Sequence, residues 1–277
     1  MTATRGPSIC RGDTVLLADV GNTRIKLAVV ADLDHGAGRP LPRITRRQDL
    51  MSRDFRPANL EAWLAGVAPG PAVLLVGSVH EAAAVRLEAA VAEVSATRHR
   101  AVRQRRIGHT DLPLQVLVAE PHRVGIDRLA GAAAAALLKD AARPAIVVDC
   151  GTATTVNLVD DDGSFRGGPI APGLRAFELG LRQATPALPP PRLDVDPPAW
   201  PRSTQDAVDA GVLHGYCGLV ERLVAGAIAA ARGGASVFVT GGNALRVLRH
   251  SRLRARSAPD LVHRGLRLLA DETKCVR

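Results

Sequence analysis

Short apolar runs alternate along the chain with longer stretches of helical spacing. Residues 14–18 and 25–30 read as two buried strands joined by a tight turn, and 72–77 as a third strand. From 81 to 96 the spacing becomes that of an Ala-rich amphipathic helix, with Val85, Leu87, Val91 and Val94 along its apolar stripe. Residues 128–138 are almost pure Ala and Leu, which predicts a helix apolar on every side and buried against a sheet. At residue 145 the pattern starts again. Residues 146–148 form a strand, a turn follows, 156–159 return, and Asp160-Asp161-Asp162-Gly163 closes the hairpin. The recurrence predicts an internal duplication.

Beyond that second hairpin, Gly167-Gly168-Pro169-Ile170-Ala171-Pro172-Gly173 punctuates the sheet ahead of a helix. Seven prolines from Pro186 to Pro201 predict an ordered but irregular connection. A long helix is expected over 205–232, and its Gly211 and Gly215 would allow close helix packing, either between subunits or within an interior helix pair. The apolar run 236–239 leads into Thr240-Gly241-Gly242-Asn243.

Composition narrows the class. The 277 residues suffice for one large or two ordinary domains with a substantial core, and 47% hydrophobic against 3% aromatic residues predicts a core of Val, Leu, Ile and Ala. No apolar stretch reaches the roughly 20 uncharged residues of a membrane helix, and residues 1–12 carry no hydrophobic segment of the signal-peptide type. A cytoplasmic protein without a membrane partner is the expectation. Cys10, Cys150, Cys217 and Cys275 are scattered without metal or redox spacing, which predicts free thiols. The net charge of +9 is almost all Arg, Lys occurring only at 26, 139 and 274. Two basic clusters stand out: Arg98, His99, Arg100, Arg103, Arg105 and Arg106, then Arg246, Arg249, His250, Arg252, Arg254 and Arg256. Neither interleaves aromatics, so solvated basic faces are expected rather than nucleic-acid binding.

The candidate chemistry lies in the turns. Asp19-Val20-Gly21-Asn22-Thr23 and Asp149-Cys150-Gly151-Thr152-Ala153-Thr154-Thr155 each follow an apolar run, and each sets a Gly beside hydroxyl or amide side chains that can surround a small anion. One such turn is ordinary hairpin chemistry. Two, followed by the third glycine turn at 240–243, follow the order seen in ATPases whose related halves clamp a nucleotide. In the first, Asp19 could hold magnesium through water, Gly21, Asn22 and Thr23 could supply phosphate donors, and Lys26 a point charge. In the second, Thr152, Thr154 and Thr155 offer hydroxyls, while Asp149 either anchors a cation or caps the turn.

Between them, Pro121-His122-Arg123-Val124-Gly125-Ile126-Asp127-Arg128 sets an acid beside an arginine at a helix start. Asp127 could take the proton of an alcohol substrate, and Arg128 could make a two-pronged contact with an anionic part of it. The alternative for Asp127 is a helix N-cap.

These residues resemble the type III pantothenate kinases, a family that includes the Bvg accessory factor proteins. The likeness covers most of the chain. It rests on Asp19-Val20-Gly21-Asn22-Thr23-Arg24-Ile25-Lys26, Gly125-Ile126-Asp127-Arg128, the second turn with residues 167–173, and Thr240-Gly241-Gly242. The resemblance implies a duplicated ribonuclease H-like α/β fold of the actin, sugar-kinase and heat-shock ATPase type, its two related halves holding a nucleotide cleft. It implies a first half over 14–139 and a second over 140–277, while the extension over 1–13 that precedes the first strand is expected to be disordered. It further implies ATP-dependent phosphorylation of pantothenate, the first step towards coenzyme A, by a homodimer using Mg2+ and a monovalent cation, K+ or NH4+. By position, Asp19, Val20, Gly21, Asn22, Thr23, Arg24, Ile25, Lys26 and Thr152 would bind ATP, and Asp149 the monovalent ion. Gly125, Ile126, Asp127, Arg128 and Thr204 would bind pantothenate, Thr204 from the partner subunit, with Asp127 the proton acceptor. Val118 stands where many members carry Tyr, Ser203 replaces Asn, and Asn157 stands where Asp is common. A non-catalytic nucleotide-binding accessory protein and a sugar kinase are the alternatives.

Overall fold

In a computed structural model, the structure describes residues 12–30, 43–67, 69–97, 101–232 and 234–268, together with 9 and 41. The extension expected over 1–13 lies almost wholly outside these residues, as do Arg98, His99, Arg100, Cys10 and Cys275. The chain divides into two compact units. Among the described residues, the first comprises those up to Leu114, Ala119–Leu138 and those from Asp260; the second comprises Gln115–Val118 and those within Lys139–Pro259. The chain passes from the first unit to the second between Leu138 and Lys139, and the segment from Asp260 joins the first unit.

In the first unit β1 (Thr14–Val20) and β2 (Arg24–Val30) form a hairpin, β3 (Ile44–Met51) flanks it, and α1 (Pro57–Ala65) follows. Then come β4 (Ala72–Ser78), α2 (Glu81–Thr97), β5 (Val102–Arg106), α3 (Ile126–Leu138) and, from the chain's end, α7 (Leu261–Leu268). The sheet order is β3-β2-β1-β4-β5, antiparallel among the first three strands and parallel from β1 to β5. Burial follows position. β1 and β4 are buried on both faces, hence their near-continuous apolar sequence. The edge strands β3 and β5 carry charge, which blocks further strand pairing.

The second unit repeats this plan. It contains β6 (Ala145–Cys150), β7 (Ala153–Val159), β8 (Phe165–Gly167), β9 (Ile170–Pro172), α4 (Leu174–Ala184), α5 (Thr204–Ala230), β10 (Ser236–Thr240), α6 (Ala244–His250) and β11 (Arg256–Ser257). Its order, β11-β10-β6-β7-β8, pairs β6 antiparallel with β7 and parallel with β10. With β9 left aside, since it pairs with β7 off the main path, both sheets read from the far edge run fifth, fourth, first, second, third within their own unit. The duplicated ribonuclease H-like α/β fold is therefore present in the strand orders themselves.

Two expectations need correction. Val85 is 52% exposed, and the buried face of α2 is Ala83, Ala84, Leu87, Ala90, Val91 and Val94. In α3, Leu137 is 50% exposed, so that helix is not buried on every side. α5, at 27 residues, has the length and mean hydropathy of a membrane span. Nevertheless, Val212, Leu213, Tyr216, Val220 and Val224 pack into the second unit's core.

Of the basic residues, Arg103, Arg105 and Arg106 pair with Asp13, Asp111 and the carboxylates of Glu81 and Glu88. Arg249 and His250 meet Asp196, while Arg256 lies over the Phe238 ring at 4.6 Å. Arg103, Arg105, Arg106 and Arg249 therefore each face a carboxylate rather than forming a bare cationic surface.

Candidate active site

In the first unit the hairpin turn between β1 and β2 is closed by the Gly21 N–H donating to the Arg24 carbonyl at 3.0 Å. Asp19 and Lys26 are direct cross-strand partners, and Lys26 Nζ donates to the buried Asp19 Oδ2 at 3.1 Å. On the other side of β1, Asp19 pairs with Gly77 of β4. That glycine leaves room for two neighbours. A Cβ there would lie 2.6 Å from Leu266 of α7 and 3.5 Å from Ile126 at the start of α3.

The first turn of α3 is thereby seated near Asp19, with Asp127 as its second residue. Its Oδ1 accepts the Arg128 backbone N–H at 2.8 Å. The carboxylate folds back over Gly125, where a Cβ would strike it and would also come within 3.2 Å of Val79. His109 donates Nε2–H to the Val124 carbonyl at 2.6 Å, fixing the bend from outside. Burial first, and then the negative charge of Asp19, pushes the Asp127 carboxyl above its ordinary value. The Arg128 N–H, Lys26 and the Arg128 charge oppose that rise. Burial lowers the Arg128 guanidinium from its usual value.

The helix-cap alternative thus holds only in part, because Asp127 satisfies a first-turn N–H from within the helix. Asn22, Thr23 and Arg24 are exposed, and Arg24 pairs with Asp49 at 3.2 Å. Val20, Ile25 and Ile126 are buried in the core, which leaves them only backbone groups to offer a ligand.

In the second unit the glycine turns at 149–155 and 240–243 lie side by side. Thr240 pairs with Asp149, and the Asn243 backbone N–H donates to the Cys150 carbonyl at 3.1 Å. Gly241 has φ +89°, and a Cβ there would strike Asp149 Oδ1 and lie 2.7 Å from Cys150 backbone atoms. Only glycine meets both demands. By contrast, Gly21 and Gly151 do not take positive φ.

The three threonines also differ. Thr152 is exposed, whereas Thr154 is fully buried and shares a 2.7 Å hydrogen bond with the Tyr216 hydroxyl, so it is not a phosphate donor. Thr155 accepts from Asn157 Nδ2 at 3.1 Å. Burial pushes the Cys150 thiol up to about 12, leaving it protonated and unreactive.

Thr204 is the exposed first residue of α5. Ser203 is its N-cap and accepts the Asp206 N–H at 3.1 Å. Val118 packs toward Gly167, where a Cβ would lie 3.1 Å from it.

Among the described residues no group of three or more His, Cys, Asp and Glu converges as a metal cage. Magnesium bound with a nucleotide needs no such cage, since one or two carboxylates, water and phosphate oxygens suffice. The buried carboxylate of Asp19, at the root of the first turn, fits that donor set. Asp149 Oδ1, lying where a Gly241 Cβ would be, presents a carboxylate against bare backbone, a donor suited to a hard cation.

A duplicated ribonuclease H-like fold with a glycine turn at the head of each half and an acid at a helix start in the first defines the structural class of this protein. Comparison with known proteins makes the family explicit. The family model described as type III pantothenate kinase matches residues 15–226. A type III pantothenate kinase of Rhodopirellula baltica is 43% identical over 150 residues, covering 52% of each chain. That of Dehalococcoides mccartyi is 36% identical over 163 residues, 58% of this chain and 60% of the relative. These alignments span only about half to three fifths of the relatives' lengths. That of Alkalilimnicola ehrlichii is 34% identical over 262 residues, covering 93% of this chain and 98% of the relative. The chain belongs to the type III pantothenate kinase family.

Ser52, Arg86 and His263 carried no sequence signal. Their partners, the first turn for Ser52, the Ser52 carbonyl for Arg86 and the Lys26 carbonyl for His263, lie far away along the chain.

Proposed function

We propose that this protein transfers the γ-phosphoryl group of ATP to the primary hydroxyl of pantothenate, giving 4'-phosphopantothenate, the first step of coenzyme A biosynthesis, in the cytoplasm. The observation that carries the reading is a half-buried Asp127 with a raised pKa, beside the Asp19–Lys26 pair. Asp127 accepts the hydroxyl proton as the substrate oxygen bonds to the γ-phosphorus and the bond to the ADP oxygen breaks. The Arg128 guanidinium holds the pantothenate carboxylate.

Backbone groups from Asp19 to Lys26, with the Lys26 ammonium, bind the ATP phosphates, and Thr152 also contacts ATP. Asp19 would hold magnesium, which when bound neutralises charge on the phosphate oxygens. Asp149 would hold K+ or NH4+. Gly125 and Ile126 shape the pantothenate site by their backbone, and Thr204 reaches it from the partner subunit of a homodimer.

Purified protein with ATP, magnesium, potassium and labelled pantothenate tests this. Phosphopantothenate should form, and Asp127→Asn should lower kcat by about 10²–10⁴-fold. No product above background with the unaltered protein would favour a nucleotide-binding accessory role. In the same assay, sodium in place of potassium should depress turnover, and equal rates in both salts would remove the role given to Asp149.

A further inference from the structure

The first turn has a second support that lies outside the motif. Ser52, immediately after β3, is fully buried. Its hydroxyl donates to the Gly21 carbonyl at 2.7 Å, and its backbone N–H donates to the Thr23 carbonyl at 2.9 Å. The Ser52 carbonyl in turn accepts from the Arg86 guanidinium of α2. One residue therefore holds two of the turn's carbonyls, while a cation from a neighbouring helix holds that residue.

We infer that Ser52 is a positioning residue that aims the backbone donors of the 19–26 turn at the ATP phosphates, with Arg86 fixing Ser52. The inference rests on the kinase reading given above. In a planar trans peptide the C=O and the following N–H point in opposite directions, and no cis peptide is present in the described residues. With the Gly21 carbonyl drawn onto Ser52, the Asn22 N–H must point away from it. With the Thr23 carbonyl drawn the same way, the Arg24 N–H does likewise. Without the hydroxyl, the 21–22 peptide loses the bond that sets its orientation and can rotate, so that the Asn22 donor is no longer pre-aimed. Preorganised donors are worth more to a bound anion than donors that must reorient.

The test separates positioning from plain stability. In the full-length protein, Ser52→Ala should raise both the KM for ATP and the Kd of a fluorescent ATP analogue with magnesium, each about tenfold. The KM for pantothenate should stay unchanged. Ser52→Thr, which keeps the hydroxyl, should restore ATP affinity. Because a methyl group must then fit a fully buried site, Arg86→Met provides a second probe that leaves Ser52 intact, and it should weaken ATP in the same selective way. A merely structural role would lower the melting temperature of Ser52→Ala while leaving ATP affinity in the folded protein unchanged. That result, with unaltered protein binding the analogue normally, overturns the role of Ser52 and leaves the kinase reading standing. If the unaltered protein binds no ATP analogue at all, the kinase reading falls and this inference falls with it.

Discussion

Asp127 is held between two opposing influences. Burial and the Asp19 charge favour its protonated form, whereas the Arg128 N–H, Lys26 and the Arg128 charge favour its ionised form, and the former prevail. A proton acceptor must be ionised to work, so kcat/KM should fall as pH drops through a pKa above the usual aspartate range. A kcat/KM profile with its acid limb in the ordinary range would contradict this environment. Stability carries the opposite sign. A carboxyl with a raised folded-state pKa binds its proton more tightly folded than unfolded, so its stabilising contribution is present below the unfolded pKa and is lost as pH rises through the folded one. Asp127→Asn should therefore be at least as stable as the unaltered protein at neutral pH, with any advantage vanishing in acid. Thermal melts across pH would show the trend.

The elements show what the sequence disclosed and what it hid. Strands β1, β2, β4, β6, β7 and β10 are legible because they lie inside their sheets and are mostly apolar. β3 and β5 escape notice because their Arg, Gln and Asp side chains suit a sheet edge and interrupt the apolar pattern. In α2, Val85 belongs to the hydrophobic pattern yet faces solvent, while small alanines form the contact, which hydrophobicity alone ranks the wrong way. Helix α7 is hidden more thoroughly. Its sequence, LVHRGLRL, includes His263 and Arg267, both buried. The candidate site divides similarly. Asp19, Lys26 and Asp127 stand out because their spacing around glycine turns is local. Ser52 and His263 do not, since Ser52 reaches back 31 residues and His263 donates to the Lys26 carbonyl from 237 residues away. The hydroxyl role expected of Thr154 fails because a buried Tyr216, 62 residues onward, takes it.

At the scale of the whole chain, α7 makes the first unit discontinuous. It packs on β1, β4 and α3, and Gly265 lets the backbone of Ala130 approach where a side chain would collide. Leu266 is fully buried and lies against Gly77, the strand partner of Asp19. The bidentate contact of Arg47 on β3 with Asp260 secures the same segment at its start. The first unit therefore depends on residues that enter its core only at the end of the chain, whereas the second is built from one nearly continuous stretch. Leu266→Ala should cost about 2–5 kcal/mol of stability in the first unit, since a fully buried Leu side chain is removed from its core. Native-state hydrogen exchange should locate the effect. Amides of β1, β4 and α3 should exchange faster, while those of β6, β7 and β10 keep their protection. Equal loss in both sets would show that the two units unfold together, and that α7 supports the protein as a whole rather than the unit into which it packs.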